Sequence, residues 1–378
     1  MKCSGRSVFD GEAIEINFDR QIQSVEPQLG GDAQEDIWIA PGFIDLQVNG
    51  FAGVDYNSPS STREEIGRSL GALFSTGVTR FFPTVITCPP EQMVAALANL
   101  ARSRKVLKYG EAVEAFHVEG PHISSDDGPR GAHPAQWVRP PDLEEFKRWQ
   151  DAAEGNVRLV TLSPEWPSAP RYIEALRDQG VVTSIGHTGA SAEQIADAVS
   201  AGATLSTHLG NGAHATLPKT ANYIWEQLAE PRLAASLIVD GFHLPQAFLQ
   251  SALRAKGTDR CVLVTDAVAP AMCPSGEYRL GEVAVERKED GRVVLKGGTR
   301  LAGSSLQMDQ AIANVMRWAG VSLAEAVTMA TKNAARVGRI AGRLRGLQVG
   351  DRADLVRFRI EDGVVRLMET YLSGARVF

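Results

Sequence analysis

The sequence predicts an α/β fold: a (β/α)8 TIM-like barrel carrying a small β-sandwich built from both chain termini. Two observations predict it. Eight short apolar runs alternate with stretches of helical spacing through the middle of the chain, and both ends are short, β-like and rich in turn residues. The length of 378 residues suits one barrel of about 250 residues plus a small module.

At the N-terminus, β-like pieces fall at 7–9, 13–18, 22–25 and 37–39, separated by Gly, Asp and Pro. The last thirty residues repeat that texture at 354–359, 364–369 and 375–378. Neither set has enough strands to bury a core alone, so pairing the two ends is the economical solution. The expected limits are 1–41 with 337–378 for the terminal module and 42–336 for the barrel. Within the barrel the expected strands are 43–48, 78–85, 113–118, 157–162, 181–185, 204–207, 233–239 and 262–265. Helical spacing fills the gaps at 62–75, 91–102, 192–199 and 245–254, and crossovers of this kind mean a parallel sheet. Residues 277–295 interrupt the alternation with β-like, turn-rich sequence before the last helices at 305–318 and 323–336.

Composition narrows the function class. Hydrophobic residues make up 44% and charged residues 22%, ordinary globular values that exclude a disordered chain. The net charge of −6 comes without a basic run, which excludes nucleic acid as the main partner. An anionic ligand would need a local basic pocket. No apolar leader and no apolar span of about 20 residues is present, so a cytoplasmic protein without membrane contact is expected. Cys3, Cys88, Cys261 and Cys273 form no CxxC pair and are expected as free thiols.

Several expected strands end in a residue able to bind metal or move protons, with a turn close behind. Glu119 precedes Gly120-Pro121, His187 sits in Gly186-His187-Thr188-Gly189, His208 follows Thr207, and Asp266 follows Thr265. In a (β/α)8 barrel the C-terminal strand ends meet at one mouth, where the chemistry occurs. Two imidazoles and a carboxylate gathered there suit a divalent ion with a coordination position left for water. An aspartate not spent on the ion can serve as general base.

In these residues the chain resembles the N-acetylglucosamine-6-phosphate deacetylases of the amidohydrolase superfamily, nearly end to end. The resemblance starts at Pro41-Gly42-Phe43-Ile44-Asp45-Leu46-Gln47-Val48-Asn49-Gly50. It runs through His117-Val118-Glu119-Gly120-Pro121, Gly186-His187-Thr188, Thr207-His208-Leu209 and Asp240-Gly241-Phe242-His243. It closes with Val264-Thr265-Asp266-Ala267 and Leu301-Ala302-Gly303-Ser304-Ser305.

The resemblance implies Glu119, His187 and His208 as metal ligands and Asp266 as general acid/base in hydrolysis of an acetamide. Gln47 and Asn49 stand where related enzymes carry His-x-His for a second ion, and neutral amides are poor ligands, so one divalent ion per chain is expected. Zinc leads; iron, manganese and cobalt can use the same donors. The substrate implied is N-acetyl-D-glucosamine 6-phosphate, contacted by Ala132 and His133, by Asn211 and Gly212, by His243, and by the backbone of Leu301, Ala302 and Gly303. Lys219 falls on the family's phosphate-holding arginine, giving a point charge in place of a bidentate fork. Tyr223 and Trp225 are placed near the mouth, while His122 and His214 have no assigned role. A homodimer is also implied. Two other readings stay open at this level: an amidohydrolase for an unphosphorylated amino sugar or other N-acyl substrate, and an inactive barrel retained as a scaffold.

Overall fold

A computed structural model of the chain describes residues 1–28 and 36–378. Eight strands form one parallel sheet, in the order Phe43–Val48, Val78–Ile86, Phe116–Glu119, Val157–Leu162, Val182–Ile185, Leu205–Ser206, Ala234–Leu237 and Cys261–Leu263. The seam between first and last is closed beyond the strand ends, where Asp266 N–H donates to Gln47 O at 3.0 Å and Asn49 N–H to Ala267 O at 2.7 Å. Lower in the same seam the buried Asp45 carboxylate accepts from the Thr265 hydroxyl at 2.5 Å. Strand Phe43–Val48 is buried at every position, as a strand covered on both faces must be.

Local sequence explains the surrounding helices. Thr62 and Glu65 form a reciprocal capping box at the start of helix Arg63–Ser75, and Ser191 with Gln194 does the same for Ala192–Ala201. The helix expected over 323–336 divides into Leu323–Met329 and Lys332–Val337, because Ala330 turns its carbonyl to accept from Ile44 N–H at 2.8 Å. The strand expected at 113–118 begins only at Phe116, since residues Gly110–Ala112 take a 3-10 turn and Val113 makes a single bridge to Phe81.

The two termini pair as expected, in one hydrogen-bonded sheet of seven strands. Strands Lys2–Ser7, Ala13–Phe18, Ile22–Pro27 and Trp38–Pro41 join Leu355–Glu361, Val364–Leu372 and Ala375–Arg376. Its first strand lies earlier than the expected 7–9, because Gly5 lets the backbone pass so close to Ile37 O that a Cβ would sit 2.7 Å from it. Strand Ala13–Phe18 alternates between half-buried and buried, the period-two signature of a strand with one covered face. The sheet meets the barrel at the N-terminal ends of its strands. There the fully buried Asp354 accepts from Arg80 Nε at 2.8 Å and Arg343 Nη1 at 2.7 Å. Residues 277–295 form the antiparallel strands Gly276–Leu280, Val283–Arg287 and Val293–Leu295, which pack Val285 and Val293 against Ile86 and Ala302 near the barrel mouth. All four cysteines are free thiols. No helix among the described residues is long and apolar enough to cross a membrane.

Candidate active site

The barrel brings Glu119, His187, His208 and Asp266 together at the C-terminal ends of their strands. Each is buried, from 2% exposed at Glu119 to 8% at Asp266. His187, His208 and Asp266 adopt left-handed backbone, with φ of 51°, 28° and 50°. Non-glycine residues rarely do so, and such strain persists where the surrounding structure enforces it. The effect is to turn the chain sharply out of the strand while the side chain stays in the mouth.

Three nitrogens converge on one oxygen. Glu119 Oε1 lies 2.9 Å from His208 Nε2, 3.2 Å from His187 Nε2 and 2.9 Å from Gln47 Nε2. Gln47 Nε2 also donates to Asp266 Oδ1 at 3.1 Å, and Asn49 Nδ2 donates to the same oxygen at 2.6 Å. Gln47 therefore bridges two buried carboxylates that would otherwise repel each other, and Asn49 adds a second neutral donor to Asp266.

His187 Nδ1 donates to Pro129 O at 2.8 Å, so a neutral His187 turns its Nε2 lone pair toward Glu119 Oε1. Two acceptors then face each other, an arrangement that a divalent cation between them would satisfy. A buried Glu–His–His group that can hold a metal ion is thus present. The residues whose donor atoms all lie within 4.8 Å of one another are Glu119, His133 and His187, while His208 Nε2 meets the same Glu119 oxygen at 2.9 Å, so His133 and His208 compete for the third position. His133 is tied through Nδ1 to Thr87 Oγ1 at 2.8 Å.

Burial dominates the titration of the site. It raises Asp266 to about 6, reinforced by the Glu119 charge. Burial also lowers His133 to about 3, with the neighbouring His187 adding to the shift, so this imidazole is neutral near pH 7. Glu119 is held well below the usual carboxylate range: burial opposes its ionisation, but the His187 and His208 imidazoles beside it outweigh that. Deeper in the barrel His117 bonds Thr161 Oγ1 at 2.7 Å, in a hydroxyl chain that continues through Thr207 to Ser184, so it lines the barrel beneath the site.

All the expected site residues except Gln47 and Lys219 line one cavity of about 310 Å³, in the range of small-ligand sites. Gln47 sits behind the carboxylates it bridges. Lys219 is exposed on the loop beyond Ala215 and does not line the cavity of this chain. Gly131 and Gly212 flank His187; a Cβ on them would come 3.2 Å from its Cε1 and 2.7 Å from its Nδ1. His243 is aimed by Asp240, whose Oδ2 meets Nδ1 at 2.7 Å while Oδ1 accepts the amides of Phe242 and His243.

His122 is a packing residue, stacked on Trp149 with its Nδ1 on Arg139 O. His214 bonds the hydroxyl of Tyr223. Neither Tyr223 nor Trp225 reaches the cavity wall: Tyr223 is buried behind the loop and Trp225 is exposed. The sequence reading missed Arg300, the one lysine or arginine lining the cavity among the described residues. Its adjacency to Leu301-Ala302-Gly303 was the available signal.

The sequence model of the Amidohydrolase family matches residues 38–368. N-acetylglucosamine-6-phosphate deacetylase of Homo sapiens is 35% identical over 99% of this chain and 90% of its own length. The enzyme of that name from Bacillus subtilis is 31% identical over 92% of this chain and 86% of its own. Among solved structures, a mutant N-acetyl-D-glucosamine-6-phosphate deacetylase from Mycobacterium smegmatis, in complex with N-acetyl-D-glucosamine-6-phosphate, superposes with a TM-score of 0.88 at 30% identity. That match covers 99% of this chain and 97% of the other. The enzyme from Thermotoga maritima gives 0.87 at 27% identity, over 100% and 99%. These likenesses favour neither an inactive scaffold nor an unrelated acyl substrate. The chain is a hydrolase acting on amides, a member of the N-acetylglucosamine-6-phosphate deacetylase family of amidohydrolases.

Proposed function

We propose that this protein hydrolyses the acetamide of N-acetyl-D-glucosamine 6-phosphate, giving D-glucosamine 6-phosphate and acetate. The observation that carries the reading is the convergence of Glu119, His187, His208 and Asp266 on one buried cavity, in a chain whose relatives bear that enzyme's name.

Glu119, His187 and His208 would hold one divalent ion, zinc being the best match to a carboxylate and two imidazoles. When bound, that ion supplies the Lewis acidity that lowers the pKa of a water and polarises the acetamide carbonyl. Asp266 does the proton work. Both amides bind its Oδ1, so the other oxygen is left to accept the proton of the attacking water. The same carboxyl then delivers that proton to the departing nitrogen, because an amide anion is too poor a leaving group. A pKa near 6 suits both halves of the task at neutral pH. His133, Asn211, Gly212, His243 and the Leu301–Gly303 backbone would position the sugar phosphate. A cytoplasmic homodimer is part of the same reading, by likeness to the family.

The test is acetate release from the phosphorylated and plain sugars, with metal content measured on the same preparation. Asp266→Asn is expected to retain the ion and lose about 10²–10⁴-fold in kcat. An Asp266→Asn protein that still turns over would remove Asp266 from the mechanism. Equal activity on both sugars would move the reading to an unphosphorylated substrate, and no acetate with less than one ion per chain would mark a scaffold.

A further inference from the structure

We propose that Arg300 is the cation that recognises the anionic group of the substrate, held ready by Asp127 at the rim of the cavity. The inference rests on the phosphorylated-sugar reading above and names a residue for it.

Arg300 lines the catalytic cavity, whereas Lys219 does not. Its guanidinium makes a two-pronged pair with Asp127, Nη1 to Oδ1 at 2.7 Å and Nη2 to Oδ2 at 2.9 Å, and Nη1 also reaches Gly131 O at 3.2 Å. The pair thereby joins two walls of the cavity. One wall is the loop carrying Gly128, Gly131 and His133; the other is the segment that continues into Leu301. The loop in turn touches the segment after His208: a Cβ on Gly128 would lie 3.2 Å from His214 Cα and 3.4 Å from Ala213 O. Arg300 thus lines the same cavity as Asn211 and Gly212, the residues expected to meet the phosphate, and is linked to their segment through the Asp127–Gly128 loop.

The pair is also easy to exchange. Asp127 is 68% exposed and Arg300 42%, so solvent screens their attraction. A planar guanidinium matches a phosphate with the same fork it offers a carboxylate, and a dianion attracts it more strongly than a monoanion does. Asp127 then has a second consequence. Without Arg300 its carboxylate would keep only Arg130, whose Nη2 donates to Oδ1 at 3.1 Å, and would repel the incoming phosphate more strongly than the Arg300-paired form does.

The test compares R300A, R300K, D127N and K219A on N-acetylglucosamine with and without the 6-phosphate. R300A is expected to raise KM for the phosphorylated sugar at least tenfold and to leave KM for the plain sugar within twofold. R300K should recover part of the loss. D127N should bind the phosphorylated sugar at least as well as the unaltered protein, and D127N/R300A should bind it better than R300A alone. Calorimetric titration with glucosamine 6-phosphate and with glucosamine asks the same question without turnover. It therefore decides the role of Arg300 even if the unaltered protein releases no acetate, a result that would count against the activity alone. Equal effects of R300A on both sugars would reduce the pair to a structural strap. No effect, or a selective loss in K219A instead, would overturn the proposal outright.

Discussion

Asn49→Leu isolates one hydrogen bond to the proposed base. Asn49 Nδ2 donates to Asp266 Oδ1 at 2.6 Å, while its own Oδ1 is buried without a partner. Leucine is close to isosteric, so the change removes one donor from the carboxylate and one unsatisfied oxygen from the interior. Folding stability is therefore expected to hold. A hydrogen bond to a charged group contributes about 1.5–3 kcal/mol, and 1.36 kcal/mol corresponds to one pKa unit. Losing the bond should raise Asp266 by about one to two units from its value near 6. Asp266 works as base only when ionised, so activity falls as pH drops through its pKa, and the acidic limb of kcat/KM must move upward by the same amount. At pH 6 the ionised fraction, and with it the rate, would fall about 5- to 50-fold, and at pH 9 by less than about 1.2-fold. A bound cation acts on Asp266 in both proteins and leaves the difference between them. The assay is kcat/KM from pH 5 to pH 9.5 for the two proteins at saturating metal. A limb that stays in place while the whole profile drops would refute the reasoning, since Asn49 would then act on the substrate and Asp266 would not be the titrating base.

His208→Ala should lose the ion, whereas His133→Ala should keep it and raise KM; the opposite metal contents, measured by elemental analysis, would make His133 the third ligand. Asp354→Asn strips the charge partner from the buried Arg80 and Arg343, at a cost of about 3 kcal/mol. With about 2.1 cal/mol/K of unfolding entropy per residue, the 378 residues turn that into a Tm about 4 °C lower, with kcat unchanged; a shift under about 1 °C would show that the interface of sheet and barrel does not depend on this charge. Burial opposes ionisation of Asp354, but its two arginines outweigh that and bring it to about 2, so its stabilising effect is complete above the ordinary carboxylate range and disappears as pH falls from about 4 to 2. Acid melts of Asp354→Asn should accordingly be flatter across that window.

Strands buried on both faces and helices with side-chain caps were the legible part of the fold. The run at 157–162 is apolar, β-branched and sharply bounded, and it forms strand Val157–Leu162. The capping pair of Thr62 and Glu65 marks the start of a helix from side-chain chemistry alone. Features set by a distant partner left no local trace. Lys2–Ser7 has poor strand propensity and is ordered by its pairing with Ala13–Phe18 and Trp38–Pro41. The break after Met329 depends on the amide of Ile44, nearly three hundred residues away. The same division runs through the site. Glu119, His187, His208 and Asp266 could be read because they stand at strand ends, and a barrel has only one mouth. Arg300 lies outside any strand, in a bend just before Leu301, whose single bridge to Val294 ties it to the strands Gly276–Leu280 to Val293–Leu295, and its place in the cavity wall depends on how those strands fold back.

The amides on the first barrel strand do more than leave a second ion without ligands. Gln47 Nε2 bridges Glu119 and Asp266, so the proposed ligand and the proposed base share one neutral donor. Histidines in place of Gln47 and Asn49 would invite a second cation, and that cation would claim the lone pairs of Asp266 and depress its pKa. With amides, the carboxylate is stabilised enough to ionise near neutral pH yet stays basic enough to take a proton. The leaving group of an acetamide needs that proton returned to its nitrogen. Gln47 and Asn49 therefore suit hydrolysis that uses one ion and a free carboxylate, and the pH profile of Asn49→Leu reads the free carboxylate directly.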